Sequence, residues 1–244
     1  MRDAWLDLAV GGRCAACGRP GRRLCALCAV ALPRGGTAVA PDPVPPGLVP
    51  TWAAGPYGGA LRALLLAHKE RRAYPLAAPL GRVLADVVVA GLGSGHGSAR
   101  GPGADPGGNP DALVVLVPVP STPAAVRTRG HDPVLRMVRH TAGALRSTGI
   151  AAVALPLLHQ RRRVDDQAGL SAAERAANLS GSLAVLARRR RRLTGRRVQV
   201  VVCDDVLTTG STVREAQRAL EAAGLPVTLA AVLAATTRTR PGSG

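Results

Sequence analysis

The chain has 244 residues, 47% of them apolar and 2% aromatic, with a formal net charge of +17. That length can bury a sizeable core in one or two domains, and no stretch approaches the roughly eighteen uninterrupted apolar residues of a membrane span. Of the 32 basic side chains, 31 are arginine and one is lysine, alongside abundant Ala, Gly and Pro and no Phe. This skew reads first as codon pressure and weakens any argument from basicity alone to nucleic acid, although a positive field still speeds encounter with polyanions. Two acids, Asp3 and Asp7, fall where a secretory signal would be apolar, so the expected compartment is the cytoplasm.

In chain order, Cys14 and Cys17 form one Cys-x-x-Cys turn, and Cys25 and Cys28 form a second after seven intervening residues. Four thiolates so spaced can close a tetrahedron around one zinc ion, and a segment this poor in large apolar residues needs such a staple to fold. With no open coordination position, the metal would be structural. The alternative is a pair of disulfides, which a reducing cytosol disfavours. We take residues 1–35 as this module, the proline-rich stretch 36–50 as a stiff linker, and 51–240 as the main domain.

Beyond the linker, Tyr57, Gly58 and Gly59 lead into a helical pattern with Leu61, Leu64, Leu65 and His68 on one face, closed by Lys69, Glu70, Arg71 and Arg72. Lys69 can reach a phosphate or simply complement the helix dipole. Residues 91–110, almost wholly Gly, Ser, Pro and Asp, predict a disordered surface insertion. A run of β-formers at 113 to 117 then breaks at Pro118, Val119, Pro120, Ser121 and Thr122, a rigid bend at a strand end. After Arg129, Gly130, His131 and Asp132, a helix is expected with Val134, Val138, Ala142 and Leu145 inward. The polar, basic stretch that includes Arg161, Arg163, Gln167, Arg175 and Asn178 reads as a mobile loop. Residues 188 to 197 hold seven arginines and look like a hairpin tip, either a solvated turn or a contact for DNA backbone or an acidic partner.

The most informative pattern comes last. An apolar strand from residue 200 reaches Cys203, a small buried hydrophobe, and then the adjacent carboxylates Asp204 and Asp205, expected to project beyond the strand's end. Thr208, Thr209, Gly210, Ser211 and Thr212 follow as a hydroxyl-and-glycine turn opening a helix with Val213, Ala216, Leu220 and Ala223 on one face. A helix N-terminus favours an anion, because its first N–H groups lack intrahelical partners and carry the positive end of the dipole. Ordinary strand termination and capping explain one or two of these polar residues but not the whole order. An apolar run at 227 to 235 completes a β-α-β unit.

Asp204-Asp205 followed by the Thr-Thr-Gly-Ser-Thr turn resembles the PRPP loop of type I phosphoribosyltransferases. Together with the paired Cys-x-x-Cys turns, Tyr57…Lys69, Pro118-Val119-Pro120 with Arg129-Gly130, and the Arg163…Gln167…Arg175…Asn178 segment, the chain resembles the ComF branch of that family over nearly its whole length. His131-Asp132 departs from the aromatic and asparagine usual there. The resemblance implies an α/β fold, with a parallel sheet flanked by helices behind a small zinc module. It implies that Asp204 and Asp205 hold the ribose hydroxyls of 5-phosphoribosyl-1-pyrophosphate (PRPP), that Thr208 to Thr212 cradle its 5′-phosphate, and that the pyrophosphate loop lies at Val119 and Pro120. Mg²⁺ would accompany PRPP; from charge and location alone, Arg161, Arg163 or Arg175 on the mobile loop would close over the leaving group.

Thr208 stands where purine-salvage relatives often have an acid, which argues against simple hypoxanthine or guanine salvage. The expected activity is therefore pentosyl transfer to another nitrogen acceptor. The competing expectation is a non-catalytic accessory protein of competence and DNA uptake, binding DNA or a helicase partner through its zinc module and arginines. No Gly-x-x-x-x-Gly-Lys-Ser/Thr motif is present, so ATP-driven movement would come from another polypeptide.

Overall fold

The computed structural model describes residues 12–94, 112–161 and 179–236. In chain order these form helix α1 (Ala26–Val30), strands β1 (Thr37–Val39) and β2 (Thr51–Pro56), and helices α2 (Gly59–Glu70) and α3 (Ala77–Gly93). Strand β3 (Leu113–Pro118), helices α4 (Pro123–Arg129) and α5 (Pro133–Ser147), and strands β4 (Ala152–Ala154), β5 (Leu158–Gln160) and β6 (Leu183–Val185) follow. The described chain closes with α6 (Ala187–Arg190), β7 (Val198–Leu207), α7 (Ser211–Glu221) and β8 (Val227–Ala235).

Six strands make one sheet in the order β1-β2-β8-β7-β3-β4, in which only the edge pair β1–β2 is antiparallel. Continuous Val, Leu and Ala runs are what a parallel sheet covered on both faces requires. Alternation along the strands divides them accordingly. Val114, Leu116, Val201, Cys203, Leu229 and Ala231 pack toward α2, α3 and α5. Val115, Val117, Val200, Val202, Ala230 and Val232 pack toward α7 and the β5–β6 pair. The α/β architecture with a parallel sheet between helices is thus as the sequence predicts. The faces expected of α2 and α5 are the buried ones, including Leu61, Leu64, Leu65, His68, Val134, Val138, Ala142 and Leu145.

Helix α3 carries much of the first core. The segment Tyr74–Gly93, with mean hydropathy 1.6, is long and apolar enough to cross a membrane by length and composition, yet 56% of its most apolar window is buried within the protein. It packs tightly on α5 at Gly81, where an added Cβ would stand 2.6 Å from His140 Cβ and 2.9 Å from the Met137 carbonyl oxygen. Backbone cannot yield as a side-chain tip can. Gly81→Ala should therefore destabilise the protein by about 1–3 kcal/mol through overpacking, against a helix-propensity gain of at most about 1 kcal/mol. Thermal denaturation reads the difference, and a raised melting temperature would show that the two helices can separate freely.

Several local expectations are corrected. The stretch 36–50 does more than space two modules: β1 extends the sheet edge, Val49 N–H donates to Gln217 Oε1 at 3.0 Å, and Gln217 Nε2 donates to the Gly47 carbonyl at 2.9 Å. Prolines forbid a long strand there but leave carbonyls free, and Arg214 Nε takes that of Pro46 at 3.0 Å. The segment read as a disordered insertion over 91–110 begins inside α3, which runs to Gly93, while residues 95 to 110 lie outside the described residues. The arginine-rich 188–197 stretch is no hairpin tip. It forms α6 and a 3-10 turn, Arg191–Leu193, because β6 pairs with β5 while β7 joins the main sheet.

Candidate functional site

Strand β3 leads onward to β4 on one side of the sheet, and β7 leads to β8 on the other. The carboxyl ends of β3 and β7 therefore flank a topological switch point, where open α/β sheets leave a crevice. A cleft of about 590 Å³ opens there, lined among others by Lys69, Val119, Pro120, Ser121, Thr122, Arg129, Asp204, Asp205, Thr208 and Thr212. Residues 86 positions apart in sequence, Val119 and Asp205, thus share one wall-to-wall space.

The strand does not stop at Cys203 as the sequence suggested. On the β3 side the ladder ends with Pro118 opposite Cys203, but on the β8 side it continues through Asp204 opposite Val232 to Leu207 opposite Ala235. The carboxylates are held by a strand paired along one edge only, which fixes their backbone and leaves the other edge open to the cleft. Asp204 Oδ1 accepts the Asp205 backbone N–H at 2.8 Å. Burial, and then the charge of Asp205, push the Asp204 carboxyl well above the ordinary carboxylate range, against the pull of that N–H and of Lys69. Cys203 behind them is fully buried, and burial pushes its thiol up, as suits a packing residue.

Lys69 closes the pair from the far wall. Its Nζ donates to Asp205 Oδ2 at 3.0 Å, with side-chain exposures of 36% and 14%. Burial acts against the Lys69 ammonium, but Asp205 outweighs it and holds the lysine above its usual value. The next residue, Glu70, faces Arg129 of α4, with Oε1 at 3.0 Å from Arg129 Nη2. The last turn of α2 thus ties to both walls of the cleft.

The hydroxyl turn divides in two. Thr208 and Thr212 line the cleft, whereas Thr209 and Ser211 bond to each other, Oγ1 to Oγ at 3.0 Å. Ser211 is buried and borders a separate 210 Å³ hollow with Arg214 and Arg218. Gly210 has φ +74°, and an added Cβ would lie 3.0 Å from Pro41 Cγ and 3.3 Å from Leu48 Cδ2. The left-handed φ and the proline-rich segment packed against it account for glycine at this position. On the opposite wall, Asp132 caps α5 by accepting the Leu135 N–H at 3.0 Å, and its other oxygen takes the Ser121 N–H at 3.3 Å. Asp132 therefore fixes the bend after β3, a positioning role missed by motif reading. Its neighbour His131 is buried edge-on to Tyr74, ring centroids 4.7 Å apart, with His68 beyond. Arg163 and Arg175 lie outside the described residues; Arg161, at their border, is exposed.

Away from the cleft, the Sγ atoms of Cys14, Cys17, Cys25 and Cys28 all lie within 4.8 Å of one another. Four sulfurs so placed can hold one metal ion, and an all-thiolate tetrahedral set is consistent with structural zinc. Cys14 N–H donates to the Arg19 carbonyl at 2.8 Å, and Cys25 both caps α1 and donates its N–H to Cys14 Sγ at 3.5 Å. These are local turns that the Cys-x-x-Cys spacing specifies directly.

No protein-family model matches the chain, and no curated protein matches it either.

Proposed function

We propose that the cleft binds PRPP with magnesium and transfers its pentosyl group to a nitrogen acceptor. The observation that supports this most is the meeting of Asp204, Asp205, Thr208 and Thr212 with the bend at Val119 and Pro120 in one cleft at a sheet switch point. Its volume falls within the range of about 300–1,000 Å³ usual for small-molecule sites. In this reading Asp204 and Asp205 take the ribose hydroxyls, and Thr208 and Thr212 donate to the 5′-phosphate. The bend at Val119 and Pro120, held by Asp132, faces the pyrophosphate.

The reaction breaks the bond from C1 to the pyrophosphate oxygen, which leaves with the electron pair, and forms a bond from nitrogen to C1 as the nitrogen gives up a proton. Positioning and charge stabilisation supply the catalysis. Magnesium, when bound, neutralises pyrophosphate oxygens, and the Asp204 and Asp205 carboxylates are oxygen donors of the kind it takes. Calorimetric titration of PRPP with Mg²⁺ into the zinc-loaded protein is expected to give saturable heat that disappears in an Asp204→Asn/Asp205→Asn variant. Silence in the wild type would overturn the reading.

A second reading has its own support. Arg188, Arg190, Arg191, Arg192, Arg196 and Arg197 are all exposed around one turn, a basic surface suited to a DNA backbone or a competence helicase. Neutralising Arg190 to Arg192 would then weaken DNA binding and leave PRPP binding intact.

A further inference from the structure

The chain has one lysine among 32 basic side chains. That single lysine, in a chain otherwise basic through arginine, lines the cleft, where Lys69 Nζ stands 3.0 Å from Asp205 Oδ2. The two side chains differ in ways that matter there. A guanidinium is a planar fork that grips a carboxylate through two parallel bonds, whereas an ammonium is a compact point charge on a flexible stem. A fork would lock Asp205. The single contact made by Lys69 leaves the other Asp205 oxygen unclaimed by it, and 36% exposure leaves the stem room to swing. Arg129, the other cation lining this cleft among the described residues, is already engaged through Nη2 and Nε by both Glu70 oxygens at 3.0 and 3.3 Å.

We propose that Lys69 is a displaceable counter-ion: it neutralises Asp205 while the cleft is empty and passes its ammonium to the phosphate oxygens of a metal-chelated pyrophosphoryl ligand when the ligand's cation takes the carboxylates. The proposal rests on the PRPP reading for the ligand class, but its carboxylate half stands apart from the sugar. Exchange of one cation for another at Asp205 keeps the half-buried carboxylate compensated throughout. It also sets a selectivity: a free divalent cation must compete with Lys69 without offering the ammonium a new partner, whereas the chelated ligand brings cation and anion together. The cleft thereby discriminates against bare metal.

The test uses full-length, zinc-loaded protein. Calorimetry with Mn²⁺ alone and with Mg²⁺-pyrophosphate is run on wild type, Lys69→Met and Lys69→Arg. The Met variant is expected to bind Mn²⁺ about tenfold more tightly, a shift of about one log unit for a lost neighbouring charge. It should bind Mg²⁺-pyrophosphate about tenfold more weakly, and the Arg variant should restore neither the metal nor the pyrophosphate behaviour of lysine. Because there is one lysine, ¹³C-lysine labelling gives a single Cε resonance, which should move as Mg²⁺-pyrophosphate saturates the wild type. Opposite shifts for the two probes are something a plain structural salt bridge does not produce. Unchanged or weaker Mn²⁺ binding in Lys69→Met, no pyrophosphate binding in the wild type, or a Cε signal unmoved at saturation would each overturn the proposal. Full function in Lys69→Arg would overturn the requirement for lysine. Pyrophosphate binding as expected with no heat from Mg²⁺-PRPP would sink the phosphoribosyl reading and leave Lys69 in its role.

Discussion

Asp204→Asn is expected to leave the empty protein more stable at neutral pH and yet unable to hold magnesium-PRPP. Burial and the charge of Asp205 raise the Asp204 carboxyl well above its ordinary value. A group whose folded pKa lies above the unfolded one contributes stability that is fully present below the unfolded value, about 3.9 for aspartate, and lost as pH rises through the folded pKa. At neutral pH the wild type carries that loss, because the carboxyl ionises more readily in the unfolded chain than in the cleft.

Asparagine keeps the acceptor that takes the Asp205 N–H at 2.8 Å and cannot ionise. The variant should gain about 1–3 kcal/mol at pH 7, with the difference from wild type shrinking as pH falls toward 4. Binding moves the other way: removing one member of a buried, hydrogen-bonded charge set costs about 2–5 kcal/mol of affinity. Urea denaturation across pH and PRPP calorimetry measure the two halves. Equal stability of variant and wild type at every pH would show that Asp204 is at ease in the empty cleft, as an ordinary strand-end residue would be.

The distribution of what the sequence revealed follows the range of the interactions concerned. The four-cysteine cluster, the sheet strands and the inward faces of α2 and α5 were legible because periodicity and Cys-x-x-Cys spacing are properties of a few consecutive residues. The placement of Asp204 and Asp205 late in a strand, with Thr208 to Thr212 leading into a helix, was legible for the same reason. Lys69 was readable only as a helix-end charge, since its partner lies 136 residues away and nothing local names it. Thr209 and Ser211 sit in the right motif but turn toward each other, a choice made by the left-handed Gly210 and by the prolines packed on it. The arginine-rich turn was misread as a hairpin because two flanking apolar runs look alike whether they pair with each other or, as here, with β5 and with β3 and β8. Asp132 escaped because a helix cap and a cleft-wall support are the same residue seen from two sides.

Removing the metal from the cysteine cluster is expected to unfold residues 12 to 34 while the sheet remains folded. The module buries little apolar surface: α1 has no buried residue, and Leu27 and Val30 on it are 65% and 78% exposed. What joins it to the rest is modest, with Leu32 buried and Ala15, Ala16 and Leu24 packed against the first core. The thiols themselves ask for a cation. Burial acts to raise Cys14, but the N–H groups of Cys25, Cys17 and Ala16 outweigh it and hold it at about 6. Cys28 is pushed up to about 12, chiefly by its hydrogen bonds with Cys25 and Cys17. The cluster thus yields its first proton readily and its last only when positive charge arrives. Structural zinc supplies about 10–16 kcal/mol in small Cys-rich modules, far more than the apolar contacts here can. Two packed layers of Val, Leu and Ala hold the sheet independently of that energy. Hydrogen exchange before and after chelation should therefore show lost protection confined to residues 12 to 34 and the α3 face they cover, with release of one zinc per chain. Protection unchanged in that segment would mean that packing rather than metal holds the module, and collapse of the whole sheet would mean that the module is integral to the main core.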